Sequence, residues 1–536
     1  MSPRSARHGH HPRPRRPRWE DRVLYQVYPR SYADSDGDGV GDLRGILGRL
    51  GHLELLGVDG IWLNPVMRSP GVDHGYDVSD PRDVDPLFGT VDDLRELTAA
   101  LHERDMVLLM DLVPNHVSSE HPWFRAALAA EPGSPERARF HFRDGRGPGG
   151  AEPPNNWPSV FGGPAWTRVT ETDGRPGQWY LHLFAREQPD LDWTHPDVAD
   201  DLARTLRFWL DVGVDGFRVD VTHGMAKAEG LPDMDPDFRP TALIVDDRDL
   251  RWDREGVHGI LRHMRAVVDE TPGAALFGEL WVGRPERFAR YLRPGELHHA
   301  FDFHLVEADF DAAALRAAIE AGIRACDGGR TAPVWSLANH DVVREVTRYG
   351  DGPRGAARAR AMALVLLALP GIPFVYNGSE LGLPSALSLP EDVLGDPTFS
   401  QSGGAELGRD NARVPLPWEG TAPPYGFTTG PATWLPQPED WAPCTVEAQL
   451  EDPRSTFALY REAIELRRGL APLEEWTVQW YGAPEGCLAF RRPDGLVCAV
   501  NCSSRPVPLP SGEVLLISGP AAEGVLPPDT AAWLRP

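Results

Sequence analysis

Four acidic residues, Asp111, Asp220, Glu279 and Asp341, each end or closely follow a short apolar run. An aspartate at the end of a strand often serves as a cap. That reading accounts for any one of them, but poorly for four in the same kind of place. Arg218 and Asp220 are two apart, so on a strand they project to the same face. A guanidinium beside a carboxylate favours the ionised form, which suits a nucleophile. Glu279 stands between Phe277-Gly278 and Leu280-Trp281. Apolar walls disfavour its charged form, which suits a general acid. Two carboxylates with this division of labour, about 5 to 5.5 Å apart, are what double displacement at a glycosidic carbon requires.

A second candidate site precedes them. In Asp34-Ser35-Asp36-Gly37-Asp38-Gly39-Val40-Gly41-Asp42 the acids alternate with small residues. Such a loop brings several oxygens onto one hard cation. It is not an EF-hand, because the twelfth position is Gly45 and not glutamate. The alternative is a solvated acidic turn. The five cysteines, Cys326, Cys444, Cys487, Cys498 and Cys502, fit no zinc spacing and read as inert free thiols suited to a reducing compartment.

These residues need elements to position them. Eight apolar runs read as strands: 24–28, 60–63, 107–111, 216–219, 275–278, 300–303, 334–337 and 372–376. Amphipathic stretches such as 45–56, 91–104 and 203–212 lie between them. Short buried strands interleaved with helices predict a parallel α/β protein. A doubly wound sheet is the alternative, and eight is the number of a (β/α)₈ barrel, whose chemistry sits at the C-terminal strand ends. The gap from Asn115 to about Asp197 is too long for a loop and predicts an inserted subdomain after the third strand. A further insertion, Pro384 to Pro443, follows the eighth strand. Beyond the helix at 457–469, short strand-like segments split by Pro and Gly predict a closing antiparallel β domain. The expected organisation is a disordered basic tail over 1–18, a barrel over 19–114 and 198–455, an inserted subdomain over 115–197, and a β domain over 456–536.

The chain has 536 residues and a net charge of −25. That field disfavours nucleic acid and anionic membranes as partners and leaves a neutral sugar unaffected. No apolar run reaches transmembrane length, and Arg15-Arg16 is followed by no signal core. A cytoplasmic monomer or homodimer without an organic cofactor is expected. Lys227 is the only lysine; the basic residues are otherwise arginine, which suggests a bacterium with a GC-rich genome.

From Trp19 onward the chain resembles the α-amylase family of glycoside hydrolases (glycoside hydrolase family 13), in its α-glucosidase and oligo-1,6-glucosidase branch. Four motifs in order carry the resemblance: Asp111-Leu112-Val113-Pro114-Asn115-His116, Gly216-Phe217-Arg218-Val219-Asp220, Gly278-Glu279-Leu280-Trp281 and Asn339-His340-Asp341. It implies Asp220 as nucleophile, Glu279 as acid/base and Asp341 as stabiliser of the distorted sugar. His116, His340 and Arg218 would hold glucose hydroxyls and Asp220, with Tyr76 as a platform beneath the ring. Asp73, paired with Arg413 in preference to Arg409, resembles the clamp on a non-reducing end that makes a pocket exo-acting. The acidic loop resembles a structural Ca²⁺ (or Mg²⁺) site with side-chain ligands Asp34, Asp36, Asp38 and Asp42 and the carbonyl of Val40. The substrate implied is a short neutral oligosaccharide or disaccharide with a terminal α-1,4- or α-1,6-linked glucose.

The chain also departs from that branch. After strand eight it reads Tyr376-Asn377-Gly378-Ser379-Glu380 where a Gln and a paired Glu are common. Val221 after the nucleophile resembles α-1,6-specific enzymes, but Thr222-His223-Gly224-Met225 does not. Transglucosylation or isomerisation, as in trehalose synthase or sucrose isomerase relatives, is the alternative reaction. A non-catalytic transporter-associated relative is disfavoured because all three acids are present.

Overall fold

The computed structural model describes residues 18–240, 245–326, 328, 330–520 and 524–536. The expected tail thus lies outside the described residues, except for Arg18. Eight parallel strands close a barrel: β1 (Leu24–Val27), β2 (Gly60–Leu63), β3 (Val107–Leu112), β4 (Gly216–Val219), β5 (Ala275–Glu279), β6 (His299–Phe301), β7 (Val334–Ser336) and β8 (Ile372–Tyr376), with β8 pairing back to β1. The strands are buried on both faces, so their sequences are continuous apolar runs rather than alternating ones. Leu24, Trp62, Leu109, Phe277, Phe301, Val334, Ile372 and Phe374 fill the interior, and Phe301 packs on Phe374 with ring centres 4.7 Å apart. Gly216 opens β4 because a Cβ there would lie 2.6 Å from the Ala275 carbonyl oxygen.

Helices cover the outside. Val91–His102 shows how the sequence builds one. Thr90 and Asp93 form a reciprocal capping box, and Leu94, Leu97, Thr98 and Leu101 make its buried stripe. Residues 115–197 leave the C-terminal end of β3 and carry their own three-stranded antiparallel sheet, with Pro176–Leu181 between Phe142–Arg143 and Trp166–Thr170.

The chain closes with a five-stranded antiparallel sheet: β9 (Gln479–Trp480), β10 (Cys487–Arg491), β11 (Val497–Asn501), β12 (Glu513–Ile517) and β13 (Thr530–Arg535), with β13 between β11 and β12. β13 packs against the barrel helix Gly352–Ala368. It is buried except at Arg535 and so shows no alternation. Its Trp533 indole donates to the Leu364 carbonyl of a barrel helix at 2.9 Å. All five cysteines are free. Among the described residues, no helix is long and apolar enough to cross a membrane.

Candidate active site

Strand register builds the centre of the site. Asp111 on β3 pairs directly with Arg218 on β4, and Arg218 with Phe277 on β5, two residues before Glu279. The Arg218 guanidinium is buried and faces three carboxylates. Its Nη1 lies 2.9 Å from Asp111 Oδ1 and 2.6 Å from Asp220 Oδ1, and its Nη2 lies 3.0 Å from Glu279 Oε1. One cation among three carboxylates leaves two negative charges uncompensated. Burial pushes the Asp220 carboxyl well above the ordinary range; the Arg218 charge opposes this, and Glu279, Asp111 and Asp341 add to it. Burial also pushes Asp111 up to about 6 against the pull of Arg218. The pairing of Arg218 with Asp220 expected from sequence is present. Its expected consequence, a carboxylate held in the ionised form, does not follow: the same guanidinium serves two other carboxylates, and burial together with their charges outweighs it.

Glu279 is held at both oxygens. The Val221 amide donates to Oε2 at 2.8 Å, and the Trp281 indole Nε1–H donates to Oε1 at 3.0 Å. Val221 has a φ of 46°, a left-handed conformation that costs a β-branched residue about 1–3 kcal/mol. Its side chain packs into an apolar cluster with Trp157, Trp166 and Trp252. The turn fits because residue 224 is glycine: a Cβ there would lie 2.6 Å from Val221 Cγ1.

A second charged cluster forms the opposite wall. Asp341 Oδ1 receives Arg409 Nη1 at 3.1 Å and Arg413 Nη2 at 3.0 Å. Burial works against the charged form of Asp341, but His340, Arg409 and Arg413 together hold it well below the usual carboxylate range. Arg409 Nη2 reaches Asp73 Oδ1 at 2.6 Å, and its Nε reaches Asp396 Oδ2 at 2.6 Å. The expected partner of Asp73 was Arg413, and the structure corrects this. Arg413 is fully buried and turns inward, donating from Nε to the His340 carbonyl at 2.8 Å. Arg409, on the rim and stacked over Phe161 of the insertion at 4.9 Å, is the residue that spans to Asp73.

Between the two clusters lie the polar side chains expected near the sugar. The Tyr76 hydroxyl donates to Asp111 Oδ2 at 2.9 Å and lies 2.6 Å from His340 Nε2, with the two rings stacked at 5.3 Å. Burial drives His340 well below its ordinary pKa, against the pull of the Asp341 charge. His116 Nε2 lies 3.2 Å from the Tyr76 carbonyl and 3.1 Å from Gln188 Nε2, whose amide also donates to Asp73 at 3.1 Å.

Sequence reasoning missed Gln26, Asn64, Trp62, Gln188 and Asp396. Trp62 Nε1 donates to Asp111 at 3.1 Å, and Asn64 Nδ2 donates to the Tyr76 hydroxyl at 2.7 Å. Gln26 Nε2 donates to Asn64 Oδ1 at 2.8 Å. A signal existed for two of these. Gln26 is the polar residue within an otherwise apolar first strand, and Asn64 directly follows the second. Gln188 and Asp396 lie in insertions and carry no comparable mark.

In the acidic loop, carboxylate oxygens of Asp34, Asp36 and Asp42 lie within 4.8 Å of one another. The donors are all hard oxygens, which fit Ca²⁺ or Mg²⁺. Asp38 stands outside this group, and its Oδ1 accepts the Val40 amide at 2.7 Å. Asp42 also caps the helix Leu43–Gly48 through the Gly45 amide, so the capping reading and the ligand reading meet in one residue. The loop is covered by the insertion after β8: Asp34 N–H donates to the Phe427 carbonyl, and Trp434 N–H to that of Gly39, both at 3.0 Å.

The geometry has counterparts among known proteins. Residues 26–474 match the α-amylase catalytic domain. An oligo-1,6-glucosidase of Parageobacillus thermoglucosidasius is 36% identical over 84% of this chain and 83% of its own length. A probable α-glucosidase of Rhizobium meliloti is 36% identical over 91% and 90%. The trehalulose synthase MutB of Pseudomonas mesoacidophila MX-45 superposes with a TM-score of 0.85 at 33% identity, over 96% of this chain and 99% of that one. With its eight-stranded barrel, its inserted sheet after β3 and its carboxylates at the strand ends, this chain belongs to the α-amylase family of glycoside hydrolases.

Proposed function

We propose that the protein is a retaining, exo-acting α-glucosidase that removes terminal non-reducing α-linked glucose from short oligosaccharides or disaccharides. The observation that carries this reading is Arg218 shared by Asp111, Asp220 and Glu279. A buried site with two uncompensated negative charges retains a proton readily and favours a cationic transition state. Both are needed to cleave a glycoside through an oxocarbenium-like species.

In the first step Asp220 attacks the anomeric carbon. The bond to the leaving oxygen breaks, and Glu279 gives that oxygen its proton. In the second step Glu279, now a carboxylate, takes a proton from water as the water oxygen attacks the same carbon and the bond to Asp220 breaks. Asp341, kept anionic by two arginines, accepts hydrogen bonds from sugar hydroxyls. Asp73 and Arg409 close the pocket beyond the non-reducing end, which supports action on a terminal residue. The acidic loop would hold a structural Ca²⁺ (or Mg²⁺) through Asp34, Asp36 and Asp42, and the bound ion would brace the loop after β1.

Isomerisation or glucosyl transfer is the second reading, favoured by the likeness to a trehalulose synthase. Both reactions share the glycosyl-enzyme and differ in whether water or a sugar hydroxyl attacks it. Chromatography of products from maltose, isomaltose, trehalose and sucrose tests the choice. Hydrolysis predicts free glucose from at least one α-glucoside; release of none from any of them overturns the proposal. With Asp220→Asn, kcat/KM should fall about 10⁴-fold or more while the melting profile is retained. Undiminished turnover would remove Asp220 from its role.

A further inference from the structure

Glu279 must lose and regain a proton in every cycle, and among the described residues both of its carboxyl oxygens receive N–H donors. Oε2 receives the Val221 amide at 2.8 Å, while Oε1 receives the Trp281 indole at 3.0 Å and faces Arg218 Nη2 at 3.0 Å. The indole is not free to turn away. Its ring stacks on Phe303 with centres 3.9 Å apart and planes 16° apart, and Phe303 stacks in turn on Phe301 of β6. The Trp281 carbonyl is tied to the Val245 amide at 2.7 Å. The backbone and the ring of residue 281 are thus both fixed by partners other than Glu279, and the remaining polar atom points at the acid/base.

We infer that Trp281 is a positioning residue whose indole N–H fixes the orientation of the Glu279 carboxyl group and so sets how readily Glu279 exchanges the proton used in catalysis. This rests on the reading of Glu279 as acid/base. The other charged or titratable groups facing Glu279 are Arg218, Asp220 and Asp111 from β3, β4 and the turn after β4, and His223, whose Nδ1 lies 3.4 Å from the Glu279 carbonyl. Trp281 is the uncharged side-chain donor among them. It can therefore be removed without changing the charge balance around Arg218.

A donor to an ionised carboxylate favours that ionised form. Its loss makes Glu279 hold its proton to higher pH, and the alkaline limb of kcat/KM follows. The test is the pH profile of kcat/KM on the disaccharide cleaved best, whose poor leaving group needs the acid. Trp281→Phe, which keeps the stack and lacks the N–H, is compared with 3-benzothienylalanine at position 281, which keeps the indole shape and also lacks the N–H. The expected result for both is an alkaline limb moved up by about one pH unit, the scale of a charge-assisted hydrogen bond. Should Trp281→Phe fail to fold, the benzothienyl variant decides alone. A uniform drop in rate at every pH with an unmoved limb would make Trp281 packing only and overturn the inference. Glu279→Gln separates the two layers: if it stays active, the acid/base assignment falls and this inference with it, whereas an inactive Glu279→Gln with unmoved limbs sinks the Trp281 inference alone.

Discussion

Two buried ionic clusters, linked through Tyr76 and His340, are built from arginine and carboxylate in different ratios. Around Arg218 one guanidinium serves Asp111, Asp220 and Glu279. Around Arg409 and Arg413 two guanidiniums serve Asp73, Asp341 and Asp396. Burial opposes ionisation in both. In the first, the single cation is outweighed, and Asp220 and Asp111 are pushed up. In the second, two cations outweigh burial, and Asp341 and Asp396 are held well below the usual range. The charge ratio, not depth of burial, separates them. A wall whose carboxylates stay anionic can grip hydroxyls, and a wall short of cations can pass a proton.

Removing Arg218 breaks the comparison most severely. Arg218→Met strands three buried carboxylates and should cost about 3–5 kcal/mol of stability near pH 8, with activity lost. The pH dependence has a definite sign. A carboxyl whose folded pKa is raised destabilises the fold only when it must be charged. The penalty is absent below the unfolded value, near 4, and grows as pH rises through the folded one. For Asp111, raised to about 6, this amounts to a loss on the order of 3 kcal/mol between those limits. The Arg218→Met deficit should therefore shrink at pH 5 in urea unfolding, and equal deficits at both pH values would refute the charge-ratio account.

The second cluster separates into binding and structure. Arg409, partly exposed and paired with Asp73, should affect substrate capture. Arg409→Ala is expected to raise KM about 10–100-fold with a smaller change in kcat, the scale of one charge-assisted contact. Arg413, fully buried, should affect folding instead, with Arg413→Ala losing about 3–5 kcal/mol. A reversed pattern, with KM moved by Arg413 and stability by Arg409, would return the clamp to Arg413.

The smallest expected effect lies in the acidic loop, where the carboxylates of Asp34, Asp36 and Asp42 cluster. Ca²⁺ at about 100-fold its dissociation constant should add roughly 2–3 kcal/mol and raise the melting temperature by about 2–3 °C. Asp36→Ala should remove that rise without altering the pH profile of activity. An unchanged melting temperature in the unsubstituted protein would argue against a cation there.

The sequence by itself determined the features that neighbours along the chain encode. Buried parallel strands leave apolar runs, so all eight were legible. The two-residue strand period put Arg218 beside Asp220, and position at strand ends drew attention to Asp111 and Glu279. Tertiary structure alone decided what depends on distant segments meeting. Asp73 and Arg409 are 336 residues apart, and only the folding of the insertion after β8 onto the rim selects Arg409 over the buried Arg413. The sharing of one guanidinium among three acids arises from the register of three strands. The left-handed turn at Val221, permitted by Gly224, arises from packing against Trp252 and its neighbours. Protonation depends on the sum of charges in a closed space, and that sum exists only once the barrel and its insertions are assembled.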